Sequence, residues 1–400
     1  MVFLWLTRFA PFAPLKGGAF DYSRDLILSL SQRGNVEVLA FESEAVVPPE
    51  ADSVQWETLP HSDPSQLNSL LSSLPNVAFR NVDRAYLDRV IERAANVDAI
   101  FVDFIAMAWL VEPLVKALEG WHDRPPVIMV THNHEHDVRK QMARNTRVSP
   151  MRFALALDAA KAGRLERRAN MIADGITAIT SSDADAFGRY AQTPTITLPP
   201  AYRGPSLQQR TIDANTPRVA TVLGNRDAHH KMMVLDRTLS AFAAARLEKA
   251  VTIDIAGGGD FSRVSGAYPD FRFSGFVPDI VSYLSGVRLG LMSDDIGGGF
   301  KIRAMTYAFL RVPMLALHEA MRGMEFVEGV HFVGADDLAD MAAQARLLID
   351  DVDRLNALHE AAFEFAKARF DPASPGVRLS EFVNRLKDSR SAAAKGARVK

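Results

Sequence analysis

The strongest constraint in this sequence is a rhythm: short apolar, β-branched runs alternate with segments of helical length along almost the whole chain. That order is the pattern of a parallel sheet whose strands are joined by crossover helices. In the first half the runs fall at Val2–Leu6, 36–41, Ala99–Asp103, 126–131, 176–180 and 195–198. A second series follows at 218–223, 251–256, 271–274, Leu289–Met292, 313–317 and 331–333. Between the two series lies LPPAYRGPSLQQRTIDANTPR, rich in Pro, Gln, Thr and Asn and without an apolar period, which marks a domain boundary. The spacing predicts an α/β protein of two doubly wound domains, 1–200 and 218–375, joined by a linker at 201–217 and facing a cleft. After a helix at Val352–Arg369 comes the break FDPASPG, then the amphipathic VRLSEFVNRLKDSR and a small basic tail. The stretch 376–400 therefore reads as one more amphipathic helix with a frayed basic end.

Composition narrows the function. A chain of 400 residues with 48% apolar and 24% charged residues and a net charge of −2 is neither a disordered chain, nor a collagen-like fibre, nor a broadly basic nucleic-acid binder. It has no cysteine, which excludes disulfides, a thiol nucleophile and any Cys-ligated zinc or iron–sulfur centre. The opening MVFLWLTRFAPFAPLKGG carries Arg8, Pro11 and Pro14 and lacks the flanks of a signal peptide, so it reads as a first strand. The longest apolar run, AIFVDFIAMAWLV, is too short to span a bilayer and contains Asp103. These features predict a cytoplasmic protein, or one that touches a membrane from its surface.

In doubly wound domains the ligand loops follow the strand C-termini, so chemistry is sought there. Directly after the first strand, Gly17 and Gly18 precede a helix, where a backbone can approach an anion closely. The spacing is not the dinucleotide G-x-G-x-x-G, which argues against a nicotinamide enzyme. After 126–131 comes THNHEHD, in which His132, His134 and His136 alternate; if extended they share one face, with Glu135 on the other. That arrangement suits a metal site or an acid–base cluster. It is similar to the H-x-H-x-D-H pattern of metallo-β-lactamase-like hydrolases but departs from it at the Asp-His pair. A strand followed by Gly224, Arg226 and Lys231 makes an anion site ahead of the next helix. Finally, Gly297, Gly298 and Gly299 lie before a helical stretch carrying Lys301 and Arg303, a backbone cradle suited to a pyrophosphate. The Asp183–Asp185 and Asp351–Asp353 pairs sit at or on helices and read as caps and solvated faces, not metal ligands.

Taken in order, these pieces resemble the GT-B glycosyltransferases, in particular the large retaining family of bacterial sugar-nucleotide transferases. The likeness runs through the early GG segment, THNHEHD, GRLERRANMIADGITAITSSDADAF, Gly224–Lys231, IAGGGD, GFVPDIVSYL and GGGFKIRAMTYAFLRVP. It implies two Rossmann-like domains, the second holding a nucleotide-sugar donor and the first an acceptor, with the C-terminal helix of 376–400 crossing back to the first domain. By the same resemblance, Gly17 and Gly18 face the donor phosphates, and His132 or His134 with Glu135 lines the acceptor side as the catalytic group. Gly224, Arg226 and Lys231 bind the pyrophosphate, Gly275–Val277 approaches the base, and Gly297–Gly299 with Lys301 and Arg303 completes the cradle. One departure stands out: the family's Glu-x(7)-Glu pair falls at Gly298 and Thr306, leaving Asp294 and Asp295 as substitute carboxylates.

The expectation is a metal-independent hexosyltransferase, with no cofactor beyond its UDP- or GDP-sugar donor, acting in polysaccharide or glycolipid synthesis with a leaning toward retention. Three alternatives remain open: a hydrolase with metal on His132, His134 and His136, a nucleotide-sugar epimerase, and an inactive sugar-nucleotide binder. The partners expected are the donor and a saccharide or lipid-linked acceptor, with no nucleic acid. The stretch 139–168 adds an anionic membrane surface, because it holds nine Lys or Arg against Asp158 and Glu166, interleaved with Met151, Phe153, Leu155 and Leu157.

Overall fold

Alternation along the first strand shows why both faces of a parallel sheet are apolar. In β1 (Val2–Leu6), Phe3 and Trp5 pack with Phe101 on one face, the Trp5 and Phe101 rings stacked at 5.2 Å. Leu4 and Leu6 enter a second core on the other face with Leu39, Ile100 and Val102. Strands covered by helices on both sides read as such continuous apolar runs. The computed structural model describes residues 1–12, 18–43, 54–61, 64, 66–146, 148–226, 229–294 and 300–397. The chain divides into two units, Met1–Ala201 with Pro372–Lys400, and Tyr202–Asp371.

The first unit holds β1, β2 (Asn35–Phe41), β3 (Val54–Leu59), β4 (Ala99–Asp103), β5 (Val127–Val130), β6 (Gly175–Ala178) and β7 (Thr195–Thr197). All pair in parallel in the order β3-β2-β1-β4-β5-β6-β7. The strand β3 is absent from the sequence expectation. Its VQWETL carries Gln55 and Glu57 and lies at the sheet edge, where Glu57 is paired with Arg89 and Arg93. The helix Ser374–Ala397 starts earlier than expected, with Pro375 in its first turn, and continues past the point where fraying was expected. It packs on the helix Gly18–Leu30, where the Gly376 N–H donates to Ser29 Oγ at 2.8 Å and Leu379, Phe382 and Val383 are buried.

The second unit holds β8 (Val219–Leu223), β9 (Thr252–Ala256), β10 (Arg272–Gly275), β11 (Leu289–Met292), β12 (Met314–Leu317) and β13 (Val333–Ala335), parallel in the order β10-β9-β8-β11-β12-β13. Each sheet reverses its strand order once, between β1 and β4 and between β8 and β11. Loops on either side of such a reversal run in opposite directions and leave a crevice at the strand C-termini.

The stretch expected as a free linker, 201–217, packs against the second unit. Tyr202 stacks on Phe309 at 4.2 Å, and Ile212 is fully buried. Its backbone carbonyls are met by arginines: Arg311 donates to Leu207 O at 2.8 Å, and Arg288 to Thr216 O at 2.7 Å and Asp213 O at 3.0 Å. A strap held by its backbone needs no apolar period, which is why the sequence reads there as a loop.

Candidate functional site

In the second unit the crevice beside β8 is built from glycines and cations. The chain leaves β8 through Gly224, at φ +144°, against Gly257, at φ +126°. A Cβ on Gly257 would stand 2.1 Å from the Gly224 carbonyl oxygen, so no other residue fits. Two backbone bonds lock the loops together, Gly224 N–H to Ala256 O at 2.9 Å and Arg226 N–H to Gly258 O at 2.7 Å. Arg226 is thereby held indoors, with only 4% of its surface exposed. Among the described residues its Nε has no partner and its guanidinium makes one hydrogen bond, a 3.5 Å contact to the Asn225 carbonyl. Burial, and then the neighbouring Arg303, push its pKa down to about 10. A buried, under-partnered guanidinium is costly alone and becomes favourable when an anion arrives.

The helix Ile302–Phe309 completes this cluster. Arg303 donates to the Leu223 carbonyl at 2.6 Å and pairs with Asp294 at the end of β11. Burial would raise the Asp294 carboxyl, but Arg303, Arg226 and Lys301 together hold it below its ordinary value. The Lys301 ammonium is lowered by burial, against the pull of Asp294. Lys231 is exposed on the helix His229–Ala244 and close enough to Lys301 to disfavour its charge. Tyr307, on the same helix as Arg303, receives the Leu223 N–H and donates to Thr221 O, both at 3.2 Å, which fixes the strand end. Gly275 closes β10 at φ +63° and accepts the Gly257 N–H at 2.6 Å; Phe276 beside it is exposed and Val277 half-buried.

In the first unit the crevice beside β4 and β5 holds His132. Its Nε2 lies 2.8 Å from Asp103 Oδ1 and 3.4 Å from Ser23 Oγ. The Tyr22 and Phe104 rings flank the imidazole at 5.2 and 4.9 Å. Trp5 Nε1 donates to the other Asp103 oxygen at 3.2 Å. Asp103 is acceptor only, so Nε2 carries the proton and Nδ1, buried and without a partner among the described residues, is left as an acceptor.

The expectation of an extended histidine loop is corrected here. Glu135–Asn145 is a helix with His134 at its N-cap, so the alternation ends after His132. The three imidazoles go to three different places: His132 to Asp103, His134 beside Asp137 and Glu166, and His136 Nδ1 to the Ala159 carbonyl at 3.2 Å. Among the described residues no group of His, Asp and Glu is arranged to hold a metal ion. Glu135 is buried and paired with Arg139 at 3.2 Å, which itself pairs with Asp158 at 2.8 Å. Glu166 accepts the Glu135 and His136 N–H groups at 2.8 and 3.4 Å and seals the helix start. Burial dominates there and raises its pKa to about 8.

Of the residues singled out in the sequence, Gly224, Arg226, Asp294, Lys301 and Arg303 meet in one cluster. Asp294 is spent on Arg303 rather than left as a free carboxylate. Thr306, where the resemblance leads one to expect a glutamate, is an uncharged neighbour of the Tyr202 hydroxyl. Gly18 is exposed at the start of the helix Gly18–Leu30, while Gly17, Asp295, Gly297, Gly298 and Gly299 lie outside the described residues. Sequence reasoning misses Asp103, Gly257 and Tyr307. The signal for the first is present: a lone carboxylate closing an otherwise apolar parallel strand, AIFVD.

No family model matches the chain, and no curated protein matches it. Solved structures do. The chain is similar to the Anabaena HepE structure in complex with UDP, at 15% identity and a TM-score of 0.62, over 96% of this chain and 100% of that one. It is similar to sucrose-phosphate synthase from Thermosynechococcus elongatus at 14% identity and a TM-score of 0.67, over 97% and 99%. WaaG, a glycosyltransferase involved in lipopolysaccharide biosynthesis, matches at 12% identity and a TM-score of 0.58, over 96% and 99%. The chain has the fold of the GT-B glycosyltransferases, with two Rossmann-like units.

Proposed function

We propose that this chain is a glycosyltransferase that moves a hexosyl group from a UDP- or GDP-sugar to an acceptor hydroxyl in polysaccharide or glycolipid synthesis. The observation that carries the reading is Arg226, a buried guanidinium short of partners at the β8 crevice, in a fold whose solved examples include one bound to UDP and one bound to UDP-glucose. Arg226, Arg303 and Lys301 take the donor diphosphate, with Lys231 at its edge. As the bond from the sugar C1 to the phosphate oxygen breaks, its electron pair goes to the leaving nucleoside diphosphate. Fixed cations stabilise that charge without reorganising, the part that a divalent ion plays in other phosphate enzymes. The acceptor oxygen bonds to C1, and for a retained anomer its proton passes to the departing phosphate oxygen. His132, oriented by Asp103, lines the acceptor side in the first unit.

Turnover of a panel of nucleotide-sugars in EDTA, with the product anomer read by NMR, tests the reading. Activity abolished by EDTA and restored by a divalent ion overturns metal independence, and an inverted anomer overturns retention. A second reading, a sugar-nucleotide binder without turnover, is favoured by the uncharged Thr306. It predicts donor binding in a protein that leaves donor and acceptor unchanged.

The acceptor side is proposed to meet an anionic membrane surface through 139–168. On the helices Glu135–Asn145 and Pro150–Ile172, Met142, Met151, Phe153 and Leu157 are exposed beside Lys140, Arg144 and Arg152. Part of the basic stretch is committed elsewhere: Lys161 is buried on the Ser69 and Leu70 carbonyls, and Arg168 pairs with Glu112. Among the described residues no helix is long and apolar enough to cross a membrane.

A further inference from the structure

We propose that a groove of about 1110 Å³ on the first unit, along the helices Pro150–Ile172 and Ser181–Gly188, binds an acidic saccharide as the acceptor chain; this rests on the transferase reading above. Met171, Ile172, Ala186 and Tyr190 give the groove an apolar wall of the kind that packs against the C–H faces of sugar rings. Arg164, Arg167 and Arg189 line it as well. Among the described residues Arg164 and Arg189 have no carboxylate partner, and the Arg167 guanidinium lies over the Tyr190 ring at 5.3 Å. Planar guanidinium groups match carboxylates in two-point contact, so saccharide acids complement this surface and neutral sugars do not.

The acids that line the groove do not cancel this charge. Glu166 is buried and turned onto the Glu135 and His136 N–H groups, and Asp137 stands beside His134. His134 and Asp137 line the groove at the start of the helix Glu135–Asn145, directly after the loop that carries His132. From 160 to 172 the helix rises about 18 Å, room for several sugar residues leading to that loop. On this helix the lining of the groove starts at Ala160, more than a turn beyond the exposed Met151 and Phe153.

The test titrates the full chain at low salt with tetragalacturonate, maltotetraose and UDP in parallel. Tetragalacturonate should bind and maltotetraose should not. Arg164→Glu with Arg189→Glu, both at exposed positions, should weaken tetragalacturonate by roughly tenfold or more with the melting temperature and UDP affinity unchanged. Absence of tetragalacturonate binding in a protein that binds UDP overturns the groove and leaves the donor reading standing. Tetragalacturonate binding without any nucleotide binding does the reverse. Binding that survives the double reversal, or a reversal that removes only sedimentation with phosphatidylglycerol vesicles, also overturns the proposal.

Discussion

His132 Nε2 and Asp103 Oδ1 stand 2.8 Å apart, both side chains buried, at the ends of neighbouring parallel strands. The carboxylate sets the ring's tautomer and its second oxygen is pinned by Trp5, so the imidazole arrives oriented. Asp103 is thus a positioning residue. Asp103→Asn keeps the shape but lets the amide donate as well as accept, and the tautomer is no longer imposed. Turnover should fall by roughly tenfold to a hundredfold, the worth of a hydrogen bond to a charged group, with UDP affinity unchanged. The pH profile of turnover should change too. Ordinary turnover and an ordinary profile in the Asp103→Asn variant would show that the pair only packs.

Arg226 and Lys231 read alike in the sequence, as two phosphate ligands, but one is buried and the other exposed. A charged contact in a dry site is worth more than one in water. Arg226→Ala should weaken UDP binding by roughly tenfold or more, and Lys231→Ala by clearly less. Calorimetry of both variants checks the order, and equal or reversed losses would remove Arg226 from the centre of the site.

The α/β class and nearly every strand are legible in the sequence because burial on both faces writes itself into apolar runs. The cations of the β8 crevice are legible because they follow a strand and a glycine. Other features are hidden for physical reasons. Strand β3 presents polar side chains at a sheet edge, and the 202–217 strap is held by arginines on backbone carbonyls. The histidine alternation reads as one face because nothing local announces that a helix begins at Glu135; the seal is Glu166, distant in sequence. Partnerships such as Arg139 with Glu135 and Asp158 decide which charges remain for chemistry, and these form only on folding.

Glu166 gives the stability a pH signature. Its folded pKa, about 8, lies above the ordinary carboxylate value of 4.5, so the folded state holds the proton more tightly than the unfolded chain. Stability from this group is present below the unfolded value and is lost as pH rises toward 8. Glu166→Gln keeps an acceptor for the Glu135 N–H and removes the titration. Between pH 5 and 8 the native protein should lose up to a few kcal/mol relative to this variant. Melting curves across that range that run parallel in the two proteins would contradict the assignment.

Gly257 tests the second unit. Alanine there meets the Gly224 carbonyl and must hold a positive φ, so the two loops have to part. The cost should be about 1–3 kcal/mol of stability, and Arg226, bonded to Gly258 through its N–H, should shift with them. Gly257→Ala should therefore lower the melting temperature and weaken UDP, whereas Gly188→Ala, with open space at its Cβ, should do neither. Native UDP affinity in Gly257→Ala would separate the glycine loop from the phosphate site.

The membrane reading turns on whether the exposed apolar residues near the start of the helix Pro150–Ile172 meet lipid or water. Met151 and Phe153 are 62% and 70% exposed, so packing within the first unit does not account for them. Lys140, Arg144 and Arg152 accompany them, and each basic residue near an anionic leaflet contributes about 1 kcal/mol before screening. Reversal of Arg144 and Arg152 to glutamate should abolish co-sedimentation with phosphatidylglycerol vesicles; Arg147, which belongs to the same basic run, lies outside the described residues. Phe153→Ser should weaken sedimentation even at high salt, because its contribution is apolar burial rather than charge. UDP binding should be unchanged in each variant, since these residues lie in the first unit and the phosphate cluster in the second. If the native chain ignores such vesicles at low salt, the exposed apolar residues serve a soluble partner and the acceptor reaches the enzyme in solution.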